Sequence, residues 1–380
     1  MFELNLEPWE KLPENFEAIK PVIQSMSYPL MPSAPETGKF YRVYPPHCVS
    51  GNGTPYHGGV RIGTEAKKLL IYFNGGGVSY DEHSVSRPNN AFAGHIKDTY
   101  YNNDGEWIGD YFLLHGMNAA RPENPFLSWS AIHLLYCNGD FHCGNGEFPY
   151  TAQDGSPREM PYHGYRNAMA VIEQAKQYLP EPEQILIAGS SAGGFGVALL
   201  ADDVMRAFPS CTDVTCVVDS SLLLHKNWQH IARDVWHSPA HIWQRLQSDN
   251  LVLDCLTDLH LRYGDRVRCL FMSSVRDALL CVAQNGLDGN GQIFDRTSGE
   301  RYQETLRQMC SALMDRIPSV GLYVFTGSMD APGYDDARLT LHCALNNPYL
   351  FEHTEDGKTP CEWIVQALHG NMQRLGLSNL

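Results

Sequence analysis

No run of about 18 consecutive apolar residues occurs in this chain, which argues against a membrane-spanning helix. Basic residues are scarce: 28 Lys and Arg stand against 43 Asp and Glu, a formal net charge of −15. Such an acidic excess repels nucleic acid and anionic membrane surfaces at long range, so neither is expected as a partner. The C-x-x-C spacing is absent, and no Cys/His cluster has zinc-finger spacing. No zinc finger is expected on these grounds, and because FNGGGVSYD (73–81) lacks the G-x-G-x-x-G spacing of a dinucleotide site, no cofactor is expected either. Internal repeats and low-complexity tracts are also missing. The opening residues, MFELNLEPWEKLPENFEAIKP, lack the order of basic residues followed by an unbroken apolar core that marks a secretory signal. They scatter acids and prolines instead, and a cytoplasmic location is the expectation.

What is present is enough apolar material for a large core: 43% of 380 residues. Six short apolar runs recur, each ending in a Gly-rich or polar turn. They begin KLLIYF (Lys68), AIHLLY (Ala131), QILIAG (Gln184), DVTCVV (Asp213), RVRCLF (Arg266) and VGLYVF (Val320). Near-continuous apolar runs of this length are what strands buried on both faces require. Helical patterns lie between them. GYRNAMAVIEQAKQYL (164–179) gathers Tyr165, Met169 and Ile172 on one face, and GFGVALLADDVMRAFP (194–209) is apolar nearly all round until Asp202. Alternating strands and helices imply an α/β fold, a mostly parallel central sheet with helices on both faces. The stretches at about 80–125 and 221–260 break the rhythm and read as insertions over the sheet's C-terminal edge, where pockets are built. No linker interrupts the chain, so residues 1–380 are expected to form a single domain. Its oligomeric state is not legible. The eleven cysteines are odd in number; Cys137 with Cys143, or Cys211 with Cys216, could close short disulfides, but reduced buried thiols are expected.

ILIAGSSAGGFG (185–196) carries the most chemistry. Gly189-Ser190-Ser191-Ala192-Gly193 fits G-x-S-x-G with Ser191 at its centre, after a strand and before a helix, as a nucleophile elbow requires. Centring the frame on Ser190 would put Ala188 and Ala192 where the turn needs its smallest residues. The competing reading is a Gly/Ser-rich strand–helix turn that binds a phosphate or merely turns. A serine nucleophile needs a base, and the base an orienting acid. In this architecture both follow the serine in the chain. His342 sits in a loop after the last strand; His369 lies at a helix end and His353 in no distinctive context. Asp277 and Asp330 each follow a strand, Asp219 one strand earlier, and spacing alone does not separate them. FNGGGVSYD (73–81) follows a strand and could point amides at an oxyanion, alongside the Ala192 N–H. In YCNGDFHCGNGE (136–147), Asp140 and His142 make a D-x-H pair. Two ligands do not make a metal site, and a hydrogen-bonded loop lining the pocket is expected there.

Together LLIYFNGGGVS, NPFLSWSAIHLLYCNGDFHCG, YHGYRNAMAVIE, the elbow, FMSSVRDALL and LTLHCALNN, spanning about residues 68–345, resemble the pectin acetylesterase/Notum family of serine carboxylesterases, which have the α/β-hydrolase fold. The resemblance implies Asp277 as the acid, His342 as the base, and amides of Gly76, Gly77 and Ala192 as the oxyanion hole. It implies a small-molecule or glycan ester as substrate and no metal. The family's Gly-rich loop continues with Trp and Cys where this chain has Val78 and Ser79, and Val78 is expected to line the substrate pocket. Its members remove acetyl groups from pectin or a fatty acyl group from a secreted protein. Another serine acyl hydrolase (a thioesterase, lipase or peptidase) would use the same triad, and a non-catalytic binding module would typically have lost part of it.

Overall fold

The computed structural model describes residues 14–25, 27–89, 98–105, 115–328 and 336–380. Its centre is a nine-stranded sheet. The strands are β1 (Phe40–Val43), β2 (Gly58–Arg61), β3 (Glu65–Phe73), β4 (Trp129–Leu134), β5 (Gln184–Ser190), β6 (Asp213–Asp219), β7 (Val267–Ser274), β8 (Gly321–Phe325) and β9 (Arg374–Leu375). They lie in the order β1-β2-β4-β3-β5-β6-β7-β8-β9. β1 and β2, and β2 and β4, pair antiparallel, and every other pairing is parallel. All six apolar runs of the sequence are strands of this sheet.

The sheet has a core on each face because its side chains alternate. Leu69, Ile71 and Phe73 of β3 point into one cluster, Leu70 and Tyr72 into the other. The first cluster packs under α1 (Gly164–Ala175), α2 (Ala192–Ala207), α3 (Leu251–Tyr263), α4 (Ala278–Leu287) and α5 (Arg296–Arg316). The second packs under α6 (Pro360–Leu368), through Trp363, Ile364 and Ala367. α2 is buried at every residue but Met205 and Arg206, which is why its sequence shows no polar stripe. α6 starts sharply: Thr359 and Glu362 form a capping box and Pro360 occupies the first turn.

Register brings the strand ends level. Phe73 pairs with Gly189, Ser190 with Asp219, and Asp219 with Met272. The loops leaving β3, β5, β6 and β7 therefore rise from one line at the C-terminal edge, where open α/β sheets place their ligand sites. The second insertion coils over this edge as short turns, Trp228–His230, Ile231–Val235 and Ala240–Trp243, before α3 begins. Residues 90–97 and 106–114 of the first insertion lie outside the described residues.

Candidate active site

Ser191 stands between β5 and α2 with φ 56° and ψ −128°, a backbone conformation rarely adopted by a residue with a side chain. The turn is held from both sides: the Ser191 N–H donates to the Asp219 carbonyl (2.9 Å), and the Ser191 carbonyl accepts from the Gly194 N–H (2.9 Å). A Cβ on Gly193 would stand 2.0 Å from the carbonyl oxygen of Phe73, so α2 can approach β3 this closely only with glycine there. Although Ser191 occupies the N-cap position, its hydroxyl caps nothing and opens onto a cavity.

The loop after β3 lies against this elbow. Gly77 has φ 81°, and a Cβ there would meet the Tyr100 carbonyl at 2.0 Å. Tyr136 donates from its hydroxyl to the Gly77 carbonyl (2.8 Å), fixing the peptide plane. Among the described residues, the N–H groups of Gly76, Gly77 and Ala192 donate to no protein acceptor. Ala192 also begins a helix, whose first N–H groups are free and carry partial positive charge.

His342 and Asp277 are 65 residues apart and meet through a stitch between their loops. Thr340 makes it: its N–H donates to the Arg276 carbonyl (2.9 Å), its carbonyl accepts from the Ala278 N–H (3.0 Å), and its hydroxyl accepts from the Arg276 N–H (2.8 Å). His342 Nδ1 then lies 2.8 and 2.9 Å from the two Asp277 oxygens. Asp277 is fully buried and also caps α4 through the Leu280 N–H (3.0 Å). Burial alone would pull the His342 pKa down, but the Asp277 charge and hydrogen bond, with Asp219 behind them, outweigh it and raise the pKa above its ordinary 6.5. With Nδ1–H donated to Asp277, the Nε2 lone pair is left for a proton.

Ser191, Ala192, Gly77 and His342 line one cavity of about 350 Å³. Its other walls are largely apolar, among them Val78, Tyr100, Phe141, Phe195, Leu223 and Leu280. Phe141 stacks on Phe195 at 4.1 Å and is backed edge-on by Trp236, so this wall is stiff. Leu279, 41% exposed, sits at the cavity's rim. Apart from Val78, these wall residues have no sequence signal: each reads as an ordinary core side chain.

The remaining candidates fall elsewhere. Asp140 and His142 do not reach the cavity; only Phe141 between them does. Asp140 is fully buried and accepts the N–H groups of Gly164 (2.8 Å) and His142 (3.1 Å). Burial pushes its pKa up to about 7 against the pull of those bonds. His142 Nε2 bonds the Asn74 carbonyl (2.8 Å), and burial pulls its pKa down to about 4. The pair thus ties the β3 and β4 loops to α1, and the pocket-lining role expected for them is corrected accordingly. Among the described residues no group of His, Cys, Asp and Glu is arranged to hold a metal ion. Asp219 accepts bonds from backbone amides and from the Ser190 and Ser220 hydroxyls, not from the imidazole, and burial pushes its pKa up to about 6. His353 bonds Glu355, and His369 is exposed at the end of α6. Asp330 lies outside the described residues.

The family model described as pectinacetylesterase matches residues 44–278, more than half of the chain, reaching Asp277 but not His342. Pectin acetylesterase 7 of Arabidopsis thaliana is 25% identical over 179 residues, which is 47% of this chain and 43% of that protein. The matched segment is therefore less than half the length of this curated relative. Pectin acetylesterases of this family are secreted enzymes of the cell wall, which overturns the cytoplasmic location expected from the opening residues. No described helix is long and apolar enough to cross a membrane.

Proposed function

This chain belongs to the pectinacetylesterase family, and from that premise and the site's geometry we propose that it is a serine carboxylesterase acting through Ser191, His342 and Asp277. One observation carries the reading: the strained Ser191 elbow and a histidine already paired to a buried carboxylate open onto the same cavity.

The chemistry follows from the atoms. Ser191 Oγ attacks the ester carbonyl carbon as His342 Nε2 takes its proton. Asp277 holds the imidazole's tautomer and offsets the charge of the imidazolium. The carbonyl oxygen, now an oxyanion, accepts hydrogen bonds from the free amides of Gly76, Gly77 and Ala192. His342 returns the proton to the leaving alkoxide, and the acyl group stays on Ser191. Water then attacks the acyl-enzyme with His342 again as base, releasing the acid.

The cavity also bears on the acyl group. An acetyl group would fill only a small part of 350 Å³ of largely apolar space. An acyl chain of several carbons removes more apolar surface from water, at roughly 0.8 kcal/mol per buried methylene. The net charge of −15 works against a polyanionic glycan as the alcohol, so a neutral glycan or small-molecule ester fits better. Hydrolysis of p-nitrophenyl esters from acetate to decanoate tests both levels. The expected result is turnover that rises beyond acetate and is lost in Ser191→Ala. Turnover confined to acetate would overturn the acyl-chain reading. No turnover of any ester by the folded protein would overturn the esterase itself.

A further inference from the structure

We propose that Asp219 is a positioning residue that locks the Ser191 elbow to the loop carrying His342, with Ser190 and Ser220 as its two arms. The inference rests on the catalytic reading above and concerns how its parts are held in register.

Asp219 ends β6, level with Ser190 across the ladder, and is fully buried. Its backbone serves the nucleophile: the Asp219 carbonyl accepts the Ser191 N–H (2.9 Å). Its carboxylate serves the base. Oδ2 accepts the N–H groups of Ala344 (2.8 Å) and Leu345 (2.9 Å), just past His342. Ser220 extends the same grip by one residue. Its hydroxyl accepts the Cys343 N–H (3.1 Å) and donates to Asp219 Oδ1 (3.1 Å). Three successive amides after the histidine are thus bound to one two-residue segment. On the opposite side, Ser190 donates from Oγ to Asp219 Oδ2 (3.3 Å), and that Oγ also pairs with the Tyr72 hydroxyl (2.8 Å). Ser221 Oγ lies 2.9 Å from the Asp219 carbonyl and 2.7 Å from the Ser191 carbonyl, closing the circuit.

Two features separate this from an ordinary satisfied carboxylate. First, Asp277 already occupies His342 Nδ1, so Asp219 is a second buried carboxylate whose hydrogen bonds reach the triad through backbone, with only its charge acting on the imidazole. Second, Ser191, Ser220 and Cys343 all have positive φ, at 56°, 51° and 66°. All three are members of the network, and strain of this kind persists only where surrounding bonds over-determine the backbone. The network also accounts for the second hydroxyl of the Ser190-Ser191 pair: one serine faces the cavity and its neighbour fastens the turn.

Asp219→Asn and Ser220→Gly test the lock. Glycine accepts the φ of residue 220 freely, so this variant removes the hydroxyl without adding strain. Each is compared with wild type by kcat and KM on a p-nitrophenyl ester, by thermal melting, and by the low-field proton resonance of His342 Nδ1–H, assigned by its loss in His342→Gln. The expected result in folded protein is kcat lower by about 10- to 100-fold for Asp219→Asn and about 3- to 10-fold for Ser220→Gly, with KM within about twofold. The low-field resonance shifts or broadens in both. A kcat within about twofold of wild type and an unmoved resonance in the folded variants would overturn the lock. Should Asp219→Asn not fold, Ser220→Gly decides by the same criteria. Should wild type hydrolyse no ester, the esterase reading fails on its own, and the resonance alone decides the lock: a moved resonance supports it and an unmoved one overturns it.

Discussion

His342 is governed by two pH dependences of opposite sign. Its folded pKa is raised above 6.5, because the Asp277 charge and hydrogen bond outweigh burial. A base must be neutral to take the Ser191 proton, so kcat/KM is expected to rise with pH along a limb whose midpoint lies above 6.5. Stability runs the other way. A raised folded pKa means that the folded state binds the proton more tightly. The pair's contribution is therefore fully present below the unfolded value of 6.5 and is lost as pH rises through the folded value. Urea melts of wild type and Asp277→Asn at pH 6 and pH 9 are expected to differ more at pH 6. At this scale the sequence was only partly readable. Ser191 was legible because an elbow demands small residues at fixed offsets. The proposed acid was not, because Asp277, Asp330 and Asp219 all follow strands; only the resemblance chose among them, and the pairing that supports the choice spans 65 residues. Asp140 and His142 carried the residue types of a metal site but are loop fasteners, a difference set by burial rather than spacing.

The glycines around the elbow differ in what the surrounding elements allow. A Cβ on Gly193 would press into the Phe73 backbone, which cannot rotate away, so α2 must lift from β3. Gly193→Ala is expected to destabilise by at least about 1–3 kcal/mol and to lose ester turnover, checked by urea unfolding and assay. Gly286, inside α4, meets nothing closer than 3.7 Å. Gly286→Ala is expected to stabilise by about 0.5–1 kcal/mol in the same unfolding measurement, through helix propensity and a less flexible unfolded chain. The six buried strands were legible because a strand covered on both faces is apolar at nearly every position. β1 (FYRV), β2 (GGVR) and the two-residue β9 were not, because they are short, mix polar and apolar residues, and exist through the neighbours they pair with.

Over the whole molecule, the eleven cysteines are all buried and all unpaired. Neither short pairing, Cys137 with Cys143 or Cys211 with Cys216, is formed. Burial raises the pKa of Cys216 and Cys143 well above the ordinary thiol value, which keeps them as unreactive thiols. Ellman's reagent is expected to titrate almost none in native protein and all eleven after denaturation under anaerobic conditions. Ser79, where the resemblance led to the expectation of a cysteine, fits its place as a hydroxyl: it is buried and pairs with the Tyr162 hydroxyl at 2.8 Å. The fold class could be read from the rhythm of the chain, but the cavity could not, since its walls come from separate stretches of sequence between Gly77 and His342. Ser191, and not its neighbour Ser190, is the proposed nucleophile activated by His342. Labelling with a fluorophosphonate and mapping the adduct by peptide mass spectrometry tests it most directly. One adduct is expected, on Ser191, formed at least about 100-fold more slowly in folded His342→Gln. An adduct on Ser190, or a labelling rate that ignores the loss of His342, would contradict it.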